Sequence, residues 1–400
     1  MTLVAGRLPT DTDLARWKSA DTAARPARLA ALRERMAQEG VGAYFGVRRE
    51  NIRYLTGLEF GEGEEKGAGY SGQFLVSSND LVVMADSRYY IQVVEQCPDA
   101  RMEKVYNDFF DRWPKLLAGI GSPKRVAVEG NFVSKLTWER MAVAAPDVEL
   151  VPAENWVETL RQTKEPTEIE RVAAACAVAD AALERISKTI KPGMTEHDVA
   201  LALEWEMRTN GAEALAFDTT VLSGPRAALP HGSPGPRQIA QGEVLLFDFG
   251  AQVYGYRSDT TRTLFVGEPR ARDLEIYALV LAAQQAAIDA LADALAAGGP
   301  LPSGRALHLI SRDVIAAAGH GDHFGHGLGH GIGLATHELP GLGLSSADTP
   351  LPTPTVFTVE PGIYLEGETG VRIEDTMVLD AATGRLDHLS LFPREVTVVG

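Results

Sequence analysis

Cysteine is nearly missing from this chain: among 400 residues only Cys97 and Cys176 occur, far apart, which excludes a disulfide framework and fits a reducing compartment. Both are expected to behave as small buried apolar residues. Basic charge is also short. With 38 Lys and Arg against 54 Asp and Glu, the formal net charge is −16, so no cationic excess is available for nucleic acid or an anionic membrane. No stretch approaches the roughly 18 consecutive apolar residues of a membrane span. The opening MTLVAGRLPTDTDLARWKS joins no basic segment to an apolar run, so a cytoplasmic soluble protein is expected. GxSxG, GxxxxGK[ST] and HExxH are missing too, and the glycine-rich stretch near residue 330 does not match GxGxxG in register. Ser71, in GAGYSGQ, reads as a loop serine.

The length favours two domains. After a polar lead over residues 1–26, helical spacing of Leu29, Leu32, Met36 and Val41 predicts a helix over 27–41 that stops at Gly40. GAYFGV, GQFLVSS, DLVVMAD and RVAVEG read as strands between helices such as SRYYIQVVEQC and DFFDRWPKLLAGI, an α/β pattern for 27–157. Composition then shifts. Pro166, with Thr167 and Glu170, is expected to open a long Ala-rich helix, and Thr195 to cap EHDVALALEWEMRTNG. A third helix is expected through DLEIYALVLAAQQAAIDALADALAAG. Strand runs FDTTVLSG, EVLLFDFG, TRTLFVG, TVFTVEPG, VRIEDTMVLD and REVTVVG surround these helices, which predicts α+β for 158–400.

Within that second half stands an ordered series: Asp248 and Asp259, the glycine-bracketed His330, then Glu360 and Glu374. Four carboxylates gathered in one pocket would repel one another and be costly to bury unless cations neutralise them. Two divalent ions would balance them, leaving a neutral imidazole. Oxygen-rich ligation with one histidine and no thiolate suits Mn, Co, Zn or Fe(II) better than a structural zinc cage. Two ions about 3.5 to 4 Å apart can share a bridging water, lower its pKa and clamp a tetrahedral intermediate, which makes hydrolysis the expected use. The Gly- and Tyr-rich turn AQVYGYRSD lets the chain double back so that Asp248 and Asp259 face one pocket. Glu374, expected within a strand, is the better bridging ligand, and Glu360 the general base.

His326, His330 and His337 fall in HFGHGLGHGIGLATHE, where glycines at 325, 327, 329, 331 and 333 disfavour a helix by roughly 1 kcal/mol each. Those glycines permit close backbone approach and leave room for three imidazoles, one for metal and others to orient substrate. His320 and His323, just upstream, read as surface residues.

Taken together, ALPHGSP (228–234), FDFG and SDTTRT (247–250 and 258–263), HGLGHGIG (326–333), TVEPG (358–362) and GVRIEDT (370–376) resemble the metallopeptidase family with the pita-bread fold, which includes aminopeptidase P, prolidase and methionine aminopeptidase. NIRYLTG (51–57) and ADSRYY (85–90) resemble the creatinase-like N-terminal domain of its Xaa-Pro aminopeptidase and prolidase branch. The resemblance implies that Asp248, Asp259, His330, Glu360 and Glu374 bind two metals, most simply Mn(II), with Asp259 and Glu374 bridging. It implies that His231 and His337 contact substrate or stabilise the intermediate, and that His326 and Arg372 line the pocket. It further implies a homodimer that removes the N-terminal residue from peptides with proline second, a metal-activated hydroxide attacking the scissile carbonyl while Glu360 shuttles the proton. A dipeptide-restricted Xaa-Pro dipeptidase, a hydrolase of small non-peptide amides and a catalytically silent binding module are the competing expectations. The acidic loop EFGEGEEKGAGYSG (59–72) is one expected place for the pocket to be closed beyond proline.

Overall fold

The computed structural model describes residues 6–61 and 69–400, and residues 62–68 of the acidic loop lie outside the described residues. The chain divides into two compact units, one of Ala15–Leu160 and one of Arg161–Gly400 together with the segment ending at Leu14.

The first helix runs Asp11–Gln38, so much of the polar lead is helical. Its start is fixed by Asp13, whose carboxylate accepts from the Thr10 amide at 3.0 Å and hydroxyl at 2.6 Å. Pro26 lies inside it, removing one backbone bond without ending the helix. Polar composition hid this helix because it weakens the apolar stripe, not the propensity.

In the N-terminal unit a six-stranded mixed sheet has the spatial order Arg101–Lys104, Leu81–Ala85, Phe74–Ser77, Ala43–Gly46, Arg125–Val128, Glu149–Pro152. The four inner strands are the apolar runs read from the sequence. The two outer ones, RMEK and ELVP, are short and partly exposed, and four residues each carry too little of a period to mark a strand. Phe45, Phe109 and Trp113 pack beneath the sheet, Phe45 lying edge-on to Trp113 with centroids 5.3 Å apart. Asn51 of NIRYLTG donates to Glu129 and to Glu158, each at 2.8 Å. Glu129 also accepts from the Tyr44 hydroxyl and from the Val47 and Arg48 amides. Ser71 is buried rather than a free loop serine: it donates to Asp86 of ADSRYY, which Arg88 also grips.

The larger unit is α+β. Pro166 opens helix Pro166–Ser187, but the capping pair is Glu165 with Glu168 rather than Thr167 with Glu170, because a proline at the first helical position makes its predecessor the cap. Thr195 caps Glu196–Thr209 as expected. Helix Ala271–Ala297 is long and apolar enough to cross a membrane, yet its buried residues form one stripe, Ile276, Tyr277, Val280, Ala283, Ala287 and Leu291, which belongs to this unit's core. Helix Gly304–Ala317 had not been anticipated.

Two sheets supply the functional half. One orders Val398–Val399, Thr260–Val266, Val244–Phe249, Thr220–Ser223; the other orders Glu338–Leu342, Gly329–Gly331, Thr355–Val359, Asp375–Asp380, Arg385–His388. Between Ala251–Val253 and Tyr256–Arg257 the chain turns through Tyr254 at φ 46° and Gly255 at φ 79°, two successive left-handed residues as in a type I′ hairpin.

Candidate active site

That hairpin returns the chain so that Thr261 pairs with Asp248 across the antiparallel ladder, which brings Asp259 back beside Asp248. Glu374 is not inside a strand. The run VRIEDTMVLD breaks into Thr369–Arg372 and Asp375–Asp380, and Glu374 lies in the gap with its amide bonded to the Thr261 carbonyl at 3.1 Å. Buried Arg262 secures this break, donating to the carbonyls of Thr261 and Glu374 and to Asp375. His330 sits in Gly329–Gly331 and Glu360 just past Thr355–Val359. The segment around His326 and His330 is non-helical, as its glycines predicted. Two of those glycines serve close strand contact: a Cβ at Gly329 would lie 2.0 Å from the Thr358 carbonyl oxygen, and one at Gly331 2.2 Å from that of Leu339.

The five residues meet. Asp259, His330 and Glu374 offer ligand atoms all within 4.8 Å of one another. His330 Nε2 lies 3.6 Å from Asp259 Oδ2 and 3.4 Å from Glu360 Oε1. Arg372 binds Asp248 and lies 3.9 Å from Glu360. Burial, reinforced by the charges of Glu374, Asp248 and Glu360, holds the Asp259 carboxyl well above its ordinary range. Burial and Glu374 do the same to Glu360. Glu374 is pushed up to about 7 by burial and by Asp248. Asp248 is raised by burial, against the pull of Arg372.

Burial together with His337 lowers His330 to about 4, so its imidazole is neutral near pH 7. Its Nδ1 lies 3.1 Å from the Gly331 carbonyl and must carry the proton that bonds it. The Nε2 lone pair therefore faces two carboxylate oxygens, an acceptor aimed at acceptors. Glu374 Oε2 accepts from Thr261 at 2.8 Å, but Glu374 Oε1 is buried with no hydrogen-bond partner among the described residues. A lone pair facing oxygens, an orphaned buried oxygen and carboxyls that resist ionisation in one another's company describe a site shaped for cations.

Around this cluster stand the other predicted residues. His337 is exposed and its ring lies tilted against that of His330, centroids 4.1 Å apart. Beside it Glu338 is buried under Arg161 and Lys164; burial would raise its carboxyl, but the two cations outweigh it and the carboxyl is lowered. His231 is exposed on an irregular segment and near enough to Asp248, His326 and His337 to influence their charges. His326 is engaged on both nitrogens, with the Gly327 carbonyl at 2.8 Å and the Tyr364 hydroxyl at 2.9 Å. Arg372 donates to that hydroxyl at 2.9 Å and to Thr261 at 2.9 Å. Of the upstream histidines, His323 is exposed and His320 half-buried.

Sequence reasoning missed Tyr364, Thr261 and the Arg161–Glu338–Lys164 group. Thr261 lay inside the quoted SDTTRT, and Tyr364 faces Gly370 of GVRIEDT across a two-stranded ladder. Neither residue type announces such a place by itself.

Comparison with known proteins agrees with this geometry. The model of metallopeptidase family M24 matches residues 170–381, and that of the creatinase/prolidase N-terminal domain matches 28–163. The chain is 32% identical over 352 residues to the Xaa-Pro dipeptidase of Pyrococcus furiosus, covering 88% of this chain and 94% of that protein. Among solved structures, the Xaa-Pro dipeptidase from Bacillus anthracis superposes with a TM-score of 0.84 at 33% identity, covering 94% and 100% of the two chains. The X-Pro aminopeptidase from Thermotoga maritima gives 0.79 at 34% identity, covering 93% and 99%. A pita-bread unit preceded by a creatinase-like unit is thus shared along nearly the whole length, and the chain belongs to metallopeptidase family M24.

Proposed function

We propose that the protein is a dinuclear-metal exopeptidase that cleaves the Xaa-Pro bond and releases the N-terminal residue from peptides with proline second. The observation that carries this is the set of buried Asp259 and Glu374 with half-buried Glu360, whose charge has no sufficient protein counterpart and whose Glu374 Oε1 has no hydrogen-bond partner among the described residues. Asp248, Asp259, His330, Glu360 and Glu374 would hold the two ions, Asp259 and Glu374 bridging, with Mn(II) the first metal to test and Co(II), Zn(II) and Fe(II) compatible donors' choices. Bound there, divalent ions acidify water and polarise a carbonyl as Lewis acids.

The chain's own residues do the rest. Glu360 takes the proton of the attacking water and delivers it to the proline nitrogen as the C–N bond breaks. His231 and His337, both exposed, present N–H groups to the oxygen that gains charge. Arg372 holds Asp248 and Tyr364, and Tyr364 in turn fixes His326, which lines the pocket. Free buried Cys97 and Cys176 support a reducing, cytoplasmic setting, and a homodimer rests on the family resemblance alone.

Restriction to dipeptides is the second reading, favoured by relatives that are Xaa-Pro dipeptidases. Hydrolysis of Ala-Pro and Ala-Pro-Ala with added Mn(II) separates the two. Cleavage of both supports the aminopeptidase, cleavage of Ala-Pro alone the dipeptidase, and cleavage of neither rejects an Xaa-Pro peptidase.

A further inference from the structure

We infer that Glu196 is a positioning residue for His231: its carboxylate ties together the two ends of segment 223–235 and so fixes where the imidazole stands over the carboxylate cluster. The inference rests on the proposed use of His231 on substrate. Glu196 lies in the first turn of helix Glu196–Thr209, where the helix dipole favours a carboxylate, and it is 0% exposed. Its Oε1 accepts from the Ser223 amide at 2.8 Å and the Ser223 hydroxyl at 3.0 Å. Its Oε2 accepts from the Gly235 amide at 3.1 Å and from Arg226 Nε at 3.0 Å. One carboxylate thus receives the first and the last residue of the segment.

The surrounding bonds serve the same end. Arg226 reaches on to the Ser233 carbonyl at 2.6 Å, and the Glu196 and His197 amides donate to the carbonyls of Arg237 and Gly235. Thr220 donates to the Gly232 carbonyl at 3.1 Å, next to His231. On its other side the segment packs against the strand that ends in Arg372, so closely that a Cβ on Gly370 would lie 1.9 Å from the Ala227 carbonyl oxygen. Residues 229–236 have no helix or ladder of their own, and among the described residues no hydrogen bond holds the His231 ring. Its placement therefore comes from the backbone, and the backbone is closed by Glu196.

Glu196→Gln keeps the volume but turns one acceptor into an NH2 group facing other donors, so one end is unhooked. We expect kcat to fall by about tenfold or more, as for loss of an outer support, with KM and metal content little changed. In a His231→Ala background the same substitution should add almost nothing, the non-additivity of two residues acting as one unit. The Ser223 and Gly235 amides should exchange hydrogen faster in the variant. Arg226→Gln, which loosens the clamp from its exposed side, should repeat these effects more weakly if Glu196→Gln does not fold. A kcat within about twofold of wild type, full additivity with His231→Ala or unchanged exchange overturns the inference. If the wild-type protein cleaves no Xaa-Pro substrate, the functional reading fails, while amide exchange still decides whether Glu196 closes the segment.

Discussion

Two groups of buried carboxylates, one in each unit, have been treated by the fold in opposite ways. In the N-terminal unit Glu129 is 2% exposed, and burial raises its carboxyl, yet it receives the Tyr44 hydroxyl, the Val47 and Arg48 amides and the Asn51 amide. Glu158 beside it is bonded by Asn51 and Arg48. In the larger unit buried Asp259 and Glu374 and half-buried Glu360 lie among themselves, share Arg372, and leave Glu374 Oε1 without a hydrogen-bond partner among the described residues. The first group is a finished internal tie. The second lacks such donors, which is why cations are proposed to complete it: an unpaired buried charge costs far more than a surface one. Burial of acids is common to both; the supply of donors distinguishes structure from site.

The comparison can be broken at either end, most severely at the second. Asp259→Ala and Glu374→Ala should each reduce activity to background and lower bound metal in elemental analysis while circular dichroism stays folded; full activity with two ions would remove those ligands from the account. Chelation comes next. Because the folded protein raises these carboxyls, with Glu374 at about 7, its metal-free form binds protons more tightly than the unfolded chain. Their contribution is therefore most favourable below the unfolded values near 4 and is lost as pH rises through 7. Thermal melts should show the chelated protein weakening from pH 5 to pH 8 and Mn(II) restoring most at pH 8; a metal-independent profile would contradict this. His231→Ala should retain both ions but lose roughly 10² in kcat, as for a missing transition-state donor. Smallest in catalytic terms is Glu129→Gln, expected to cost about 1–3 kcal/mol in denaturant unfolding by leaving a donor unpaired, with metal content and kcat unaltered.

The site was more legible than the frame around it. Asp248 inside the apolar LLFDF must have a reason to be there, and with Asp259, His330, Glu360 and Glu374 following in order it gave the cluster before any geometry. Edge strands Arg101–Lys104 and Glu149–Pro152 were invisible because four half-exposed residues, mostly polar in the first and mostly apolar in the second, are too few to show a period. The first helix was read as starting after Pro26, a residue it in fact tolerates. Glu374 was assigned to a continuous strand because the break after Arg372 is made by Arg262, more than a hundred residues away in sequence, and a local pattern cannot register it. Tyr364 and Glu196 escaped for the same reason, their importance residing in partners rather than in residue type.

Elemental analysis of the protein dialysed against Mn(II), paired with Ala-Pro hydrolysis on the same samples through graded chelation, tests the cation requirement most directly. Two ions per chain are expected, with hydrolysis that disappears as they are withdrawn and returns when Mn(II) is restored. One ion or none at full activity, or hydrolysis indifferent to the chelator, would contradict it.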